Sequence, residues 1–264
     1  MSELSAATAA SFEAPGFRMQ YGRLHLEATS EPIALPSAIA ALERQPELAA
    51  PVKLIRLRAG DAALMAEIPH ALSRTASEDL AFRALETAWH WLADGDAGAA
   101  AGADDAMLFE RVEGVLEELH WSWERLESGG YRIDAEGVEG IYRVRISVLA
   151  DGGLRLSTST TVRASAIEAK HALLHFALES NRRLRLARLS VATSEGGRAR
   201  AVWDAVLPAA LPPERTLIGA LEAVVGARVA TGRALGALGD PRVARSYLRL
   251  QEGGASPAPG AAKE

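Results

Sequence analysis

The sequence predicts an α+β fold assembled from two successive units of one plan. Three observations carry this expectation. Short segments alternate apolar and polar residues with the period of a strand, and longer ones repeat apolar residues at helical spacing. One order of elements, strand–helix–hairpin–helix, also occurs twice, over residues 17–92 and 154–238. The repeat has local support. VKLIRLRAGDAALMAEIPHAL resembles LRLARLSVATSEGGRARAVWDAVLPAAL in having a leucine-bearing strand, a Gly-containing turn, an Ala/Val strand, a Pro, and an Ala-Leu pair before the helix.

Taken in order, residues 1–16 are expected to be disordered. FRMQYGRLHLEAT (17–29) reads as a strand, with Leu24 and Leu26 alternating with Arg23 and His25. ALPSAIAALERQPEL reads as a helix ending near Pro46. Residues 52–69 read as a hairpin turning near Gly60-Asp61. SEDLAFRALETAWHWL (77–92) is an amphipathic helix with Ser77 as N-cap and Leu80, Leu85, Ala88 and Leu92 inward. Residues 17–93 therefore form a partial unit, and the Ala/Gly/Asp stretch at 94–106 is a linker.

The second unit spans residues 107–250. It opens with a helix carrying Leu108, Val112, Val115, Leu116 and Leu119 on one side. Three strands are expected next, the first in WSWERLESGGYRID, the second in IYRVRISV and the third in LRLSTSTTVR, with a turn at Asp151-Gly152-Gly153 between the last two. A helix (166–180), a strand (about 184–192) and a strand in RARAVWDAVLP follow. A long helix then carries Leu217, Ile218, Leu221, Val224 and Val225, and GDP (239–241) breaks it. Residues 251–264 read as a disordered tail.

The order α-β-β-β-α-β-β-α in the second unit resembles the type III secretion chaperone-like fold, in particular its YbjN branch. ALESNRRLRLARLSVATSEGGRARAVWDAVLP carries the resemblance: a helix ending in an Asn-containing turn, a short strand leading to a Gly turn, and a strand ending in Leu-Pro before the last helix. The resemblance covers about 145 residues well, and residues 17–92 only as a partial copy lacking the first helix and two strands. It implies a non-catalytic protein that holds a segment of another polypeptide and has regulatory effects. It also implies pairing of units, so that the chain is a monomeric pseudo-dimer or a homodimer.

Composition narrows the function. The chain contains no cysteine, which excludes disulfides, thiolate catalysis and cysteine-ligated metal. The first 16 residues lack a basic region followed by an apolar core, and no 18 apolar residues run together. A cytoplasmic protein without membrane contact is therefore expected. The net charge is −5, yet residues 182–249 hold 12 arginines, no lysine and 5 acids, a local balance of +7. No P-loop, G-x-G-x-x-G or G-x-S-x-G motif is present, and no cofactor is expected.

Arg183, Arg185, Arg188 and Arg200, with Trp203 as an aromatic anchor, are the expected partner-binding residues, because a guanidinium fork grips carboxylates bidentately. The arginine run has no interleaved aromatics for base stacking, which argues against direct nucleic-acid contact. The expected partner is thus a protein offering an extended, acidic or amphipathic segment. One version of this is the acidic tail of a DNA-handling or DNA-repair protein, such as a single-stranded-DNA-binding protein. A different class of reading, a metal-dependent hydrolase, would use His171 and His175, which stand one helical turn apart. Ala172 occupies the place where the zincin motif needs Glu.

Overall fold

Alternation and turn chemistry place the strands, and the glycines decide how many there are. The computed structural model describes residues 11–253 except 15–16, 22–24, 46–47, 49, 58–59, 70, 95–105, 119–121, 128, 138–139 and 194–195. The first unit runs β1 (Ser11–Ala14), β2 (Phe17–Tyr21), β3 (His25–Ser30), α1 (Leu35–Leu42), β4 (Val52–Arg56), β5 (Ala62–Pro69) and α2 (Arg74–Asp94). The second runs α3 (Ala106–Glu118), β6 (Ser122–Arg125), β7 (Tyr131–Gly137), β8 (Gly140–Val148), β9 (Leu154–Arg163), α4 (Ile167–Asn181), β10 (Arg188–Thr193), β11 (Arg198–Leu207), α5 (Pro213–Leu238) and α6 (Pro241–Gly253). The α+β class is as expected.

Several local expectations need correction. The single strand read in residues 17–29 is two paired strands, β2 and β3, and β1 extends this ladder into the segment expected to be disordered. WSWERLESGGYRID likewise folds into a hairpin, β6 with β7, so four strands precede α4. Its turn depends on Gly129 and Gly130, at φ +80° and +89°. A Cβ on Gly130 would lie 2.1 Å from the Ile146 carbonyl oxygen. Helix α2 starts three residues before Ser77, and the Ser73 hydroxyl accepts from the Ala76 N–H as the cap. The strand expected from about 184 starts only at Arg188, because residues 182–187 form a turn with Leu186 at φ +58°. Helix α6 runs past Leu250 to Gly253. The expected linker lies almost wholly outside the described residues, as do residues 1–10 and 254–264.

Each unit contributes one antiparallel sheet. The first has the order β1-β2-β3-β5-β4 and the second β10-β11-β9-β8-β7-β6. Read from their inner edges, β4-β5-β3-β2-β1 and β10-β11-β9-β8-β7 place strands of corresponding chain position side by side. In both, one helix precedes the edge strand (α1, α4) and one follows its neighbour (α2, α5). Among the described residues, the first unit has no element in the places of α3 and β6, where a helix and two strands were expected to be missing.

The inner faces of both sheets feed one continuous apolar core, from Met19 through Trp91, Tyr131, Leu173 and Trp203 to Ala244. Removing that area from water is the main favourable contribution to folding. Leu80, Leu85 and Ala88 of α2, Leu108, Val112, Val115 and Leu116 of α3, and Leu217, Leu221 and Val224 of α5 are buried, as their spacing predicts. Ile167, the first residue of α4, is exposed.

Gly130→Ala should lower stability by at least about 1–3 kcal/mol, since it joins a left-handed backbone to a backbone collision. Gly129→Ala, with open space around its Cβ, should cost less. Urea unfolding of the two variants measures the difference.

Candidate functional site

Two places collect the polar and charged groups that sequence patterns single out: the seam between the units, and an arginine-lined crevice on the second sheet. The seam is built around the edge strands β4 and β10. Asn181, the last residue of α4, accepts from the Leu189 N–H at 2.6 Å, and its Nδ2 donates to the Leu189 and Leu54 carbonyls at 3.0 and 2.9 Å. Gln45, just past α1, mirrors it. Its Oε1 accepts from the Leu54 N–H at 2.8 Å, and its Nε2 donates to the Leu189 carbonyl at 3.4 Å and to Ser190 Oγ at 2.9 Å. Each amide thus ties its own edge strand to that of the other unit.

The residue before each of those leucines is a buried cation. Arg188 donates from Nε and Nη2 to both oxygens of Asp204 at 2.8 and 2.9 Å. Its remaining donors go to the carbonyls of Leu48, Ala50 and Val52, at 2.7 to 3.0 Å. All five guanidinium N–H groups are therefore used. Arg155 adds a second pair to Asp204 at 2.7 Å. Burial pushes the Asp204 carboxyl up, but Arg188 and Arg155 outweigh it and hold its pKa below the ordinary value. Lys53, on the other side, bonds Glu67 and the Leu184 carbonyl of the second unit. Burial keeps the Lys53 ammonium below its usual pKa despite the Glu67 carboxylate. Glu67 also accepts from the Leu186 N–H at 2.8 Å, which anchors that left-handed residue.

These contacts relocate most of the expected partner-binding residues. Arg188 (3% exposed) and Trp203 (0%) lie inside the fold and offer no surface to a partner. Trp203 donates from Nε1 to Thr231 Oγ1 at 2.7 Å. Arg185 pairs with Glu27 and Glu67 of the first unit and so is part of the seam. Arg183 is exposed at the end of α4, 3.5 Å from Glu179. Arg183 and Arg185 both precede β10, so neither lies on a strand. Arg200 is exposed on β11, with no ion pair among the described residues.

His171 is exposed and His175 half-buried, with the leucines of α4 turned inward. Among the described residues, the His and carboxylate groups that come together closely enough for a metal ion are His25, Glu27 and Glu67. Lys53 and Arg185 already bond those carboxylates. Of the other tryptophans, Trp91 is buried under the Arg44 guanidinium and Trp89 is partly exposed, on opposite sides of α2. Trp123 packs edge-to-face on Tyr131, and Trp121 lies outside the described residues.

The crevice occupies the outer face of the second sheet, away from α4 and α5. Along β8 the buried Tyr142, Val144 and Ile146 alternate with the exposed Arg143 and Arg145. Cross-strand pairing puts Arg132 opposite Arg145 and Asp134 opposite Arg143. Arg132, Asp134, Arg143, Arg145 and Arg200 line a cavity of about 690 Å³, with Ser157, Ser159 and Val202 on its other wall and Arg228 of α5 reaching in. Arg132 pairs with Glu124 at 2.8 Å and Arg143 with Asp134 at 3.6 Å. Five arginines and one carboxylate line the cavity, so its lining carries an excess of positive charge.

Residues 108–227 match the model of a family described as "YbjN: Putative bacterial sensory transduction regulator". This segment is similar to the YbjN family. The match runs from α3 into α5 and so takes in every strand of the second sheet and the crevice except Arg228, which lies one residue beyond it. No curated protein matches the chain. A crystal structure of the di-domain ARO/CYC StfQ, from the steffimycin biosynthetic pathway, aligns with 93% of this chain and 88% of its own at 14% identity. Its TM-score of 0.16 is too low to carry any argument. Among the described residues, no helix is long and apolar enough to cross a membrane.

Sequence patterns did not single out Gln45, Lys53, Glu67, Arg155 or Asp204 for the seam, nor Arg132, Arg143, Arg145 or Arg228 for the crevice. A signal was present for some. Lys53, Glu67 and Asp204 each stand between two apolar neighbours in a strand, and Arg228 falls four residues after the buried Val224 of α5.

Asp204→Asn should destabilise the fold by about 3–5 kcal/mol, because it leaves the Arg188 charge buried without its partner. The Asp204 pKa is lowered on folding, so its contribution is full at neutral pH and is lost as pH falls below the ordinary carboxylate range. Urea midpoints between pH 7 and pH 3 should fall steeply for the parent protein and less steeply for the Asn variant.

Proposed function

We propose that this chain is a non-catalytic, cytoplasmic adaptor whose YbjN-like domain holds an extended acidic segment of a protein partner, in keeping with a regulatory family. The observation that carries this reading is the arginine-lined crevice, an open concave surface with a large excess of cationic forks and no cofactor motif nearby. Its shape and charge suit a carboxylate-rich strand better than a nucleic acid, because the described lining residues include no aromatic side chain for stacking. The acidic tail of a nucleic-acid-handling protein fits the same description.

We further read the two units as a fused pair. The matching strand orders, the reciprocal Gln45 and Asn181 bonds, and the buried cations Lys53 and Arg188 at corresponding places support a duplicated unit packed on its partner about a pseudo-two-fold axis. On this reading the chain acts as a monomeric pseudo-dimer.

A fluorescein-labelled peptide of alternating Glu and Val measures the proposed activity by anisotropy. The full chain should bind it in a salt-dependent manner, and a Lys/Val peptide should bind at least tenfold more weakly. Arg143→Glu with Arg200→Glu should reduce affinity by at least tenfold with the fold intact by circular dichroism. Equal affinity for the acidic and basic peptides would rule the reading out.

A further inference from the structure

The crevice has an uncommon origin: it is a split within the sheet. β8 pairs with β7 along its length, and β9 pairs with β11 from Leu154 to Arg163. Between β8 and β9, however, pairing stops at Arg145 with Ser157. Beyond that point, residues 140–144 of β8 and 158–163 of β9 are strand residues with no ladder between them. The sheet opens as a wedge whose two sides are unpaired strand edges. Such an edge is a template for another strand, because its N–H and C=O groups have no partner in the sheet.

Arg228 stands in this wedge. It reaches from α5, on the far side of the sheet, and donates to Thr158 Oγ1 at 2.5 Å; this is its only hydrogen bond among the described residues. Its guanidinium lies over the rings of Tyr142 and Trp203, at 4.8 and 5.8 Å from their centroids. Tyr142 belongs to β8, one side of the split, and Trp203 to β11, which pairs with β9 on its other edge. No carboxylate pairs with Arg228 among the described residues, so most of its five donors are uncommitted. A half-buried cation without an anion is costly, and burial lowers the Arg228 pKa accordingly. The opposite arrangement at Arg188, where every donor is satisfied, shows how the same fold treats an arginine of purely structural role. At the rim, Ile141 is two-thirds exposed on the β8 side and adds an apolar contact for a strand lying in the wedge.

We propose that the wedge between β8 and β9 takes up an extended acidic peptide as an added strand, and that Arg228 receives one of its carboxylates. The inference rests on the reading of the crevice as an acidic-segment site and specifies how the segment is held. Unpaired edges of five and six residues set the length of the pairing segment, about 16–20 Å at the rise of a strand. Alternation in that strand would turn one set of side chains toward Arg228 and the other toward Arg143, Arg145 and Arg200 outside.

Hydrogen exchange of the full chain with and without the Glu/Val peptide tests this. The expected result is slowed exchange in residues 140–144, in 158–163, or in both. Arg228→Gln should weaken the peptide by at least tenfold, and Arg228→Lys by less, since it keeps a charge but loses the fork. Binding without protection at those residues would overturn the strand-addition inference and leave the arginine-lined reading standing. No peptide binding at all would sink that broader reading itself. Inorganic phosphate at millimolar concentration serves as the probe for a simple anion site. If it displaced the peptide and no strand residues were protected, the wedge would be an anion pocket and the inference wrong. Should Arg228→Gln fail to fold, Arg228→Lys and the exchange map decide.

Discussion

The rest of the structure depends on the Arg188–Asp204 pair and the carbonyls that complete it. An arginine in a nearly dry interior is tolerated only when its charge is met and every N–H has an acceptor. Asp204 supplies the charge from the neighbouring strand, while Leu48, Ala50 and Val52 supply acceptors from the other unit. The backbone between α1 and β4 must therefore lie over the second sheet in one position. Lys53 imposes the reciprocal condition on the turn between α4 and β10 through the Leu184 carbonyl. An intact buried pair adds little over a well-packed apolar substitute, but its directions are fixed, and here they set the register of two units.

That register decides which surfaces stay open. The turn of the first unit covers one end of the outer face of the second sheet, where Arg188 and Asp204 are buried and Arg155 is half-buried. The other end, with Arg132, Arg143, Arg145 and Arg200, is left to solvent and becomes the crevice. Arginines of one face of one sheet thus serve two purposes. Those under the first unit are spent on backbone carbonyls and Asp204; those beyond it face outward around Arg228. The family match covers residues 108–227, which hold most of the crevice, and the first unit shapes the seam that borders it.

Much of the fold was legible in local pattern. Alternation in IYRVRISV and LRLSTSTTVR, and apolar spacing in α2, α3 and α5, depend on which side of an element meets the core, and that is written at short range. The family resemblance was carried by the Asn-containing helix end and the strand before Leu-Pro, and both are where the fold needs them: Asn181 at the seam and β11 in the sheet centre. Strand number was harder to read. WSWERLESGGYRID has one strand's worth of alternation on either side of its glycine pair, and only the pairing of β6 with β7 reveals two strands.

The site was far less legible. Five residues were picked from one arginine-rich stretch and its neighbours, yet the structure sends Arg188 and Trp203 inward, ties Arg185 to Glu27 and Glu67, and leaves only Arg200 at the crevice. A charged side chain looks the same in a sequence whether water or a buried carboxylate meets it. The sequence by itself determined the α+β class and the sign of charge in the second half, because these follow from short-range periodicity and composition. Only the tertiary structure decided which arginines are buried, where the sheet splits and what stands in the gap. Those outcomes depend on contacts between residues more than a hundred positions apart, such as Arg188 with Leu48, and on where a ladder of hydrogen bonds stops.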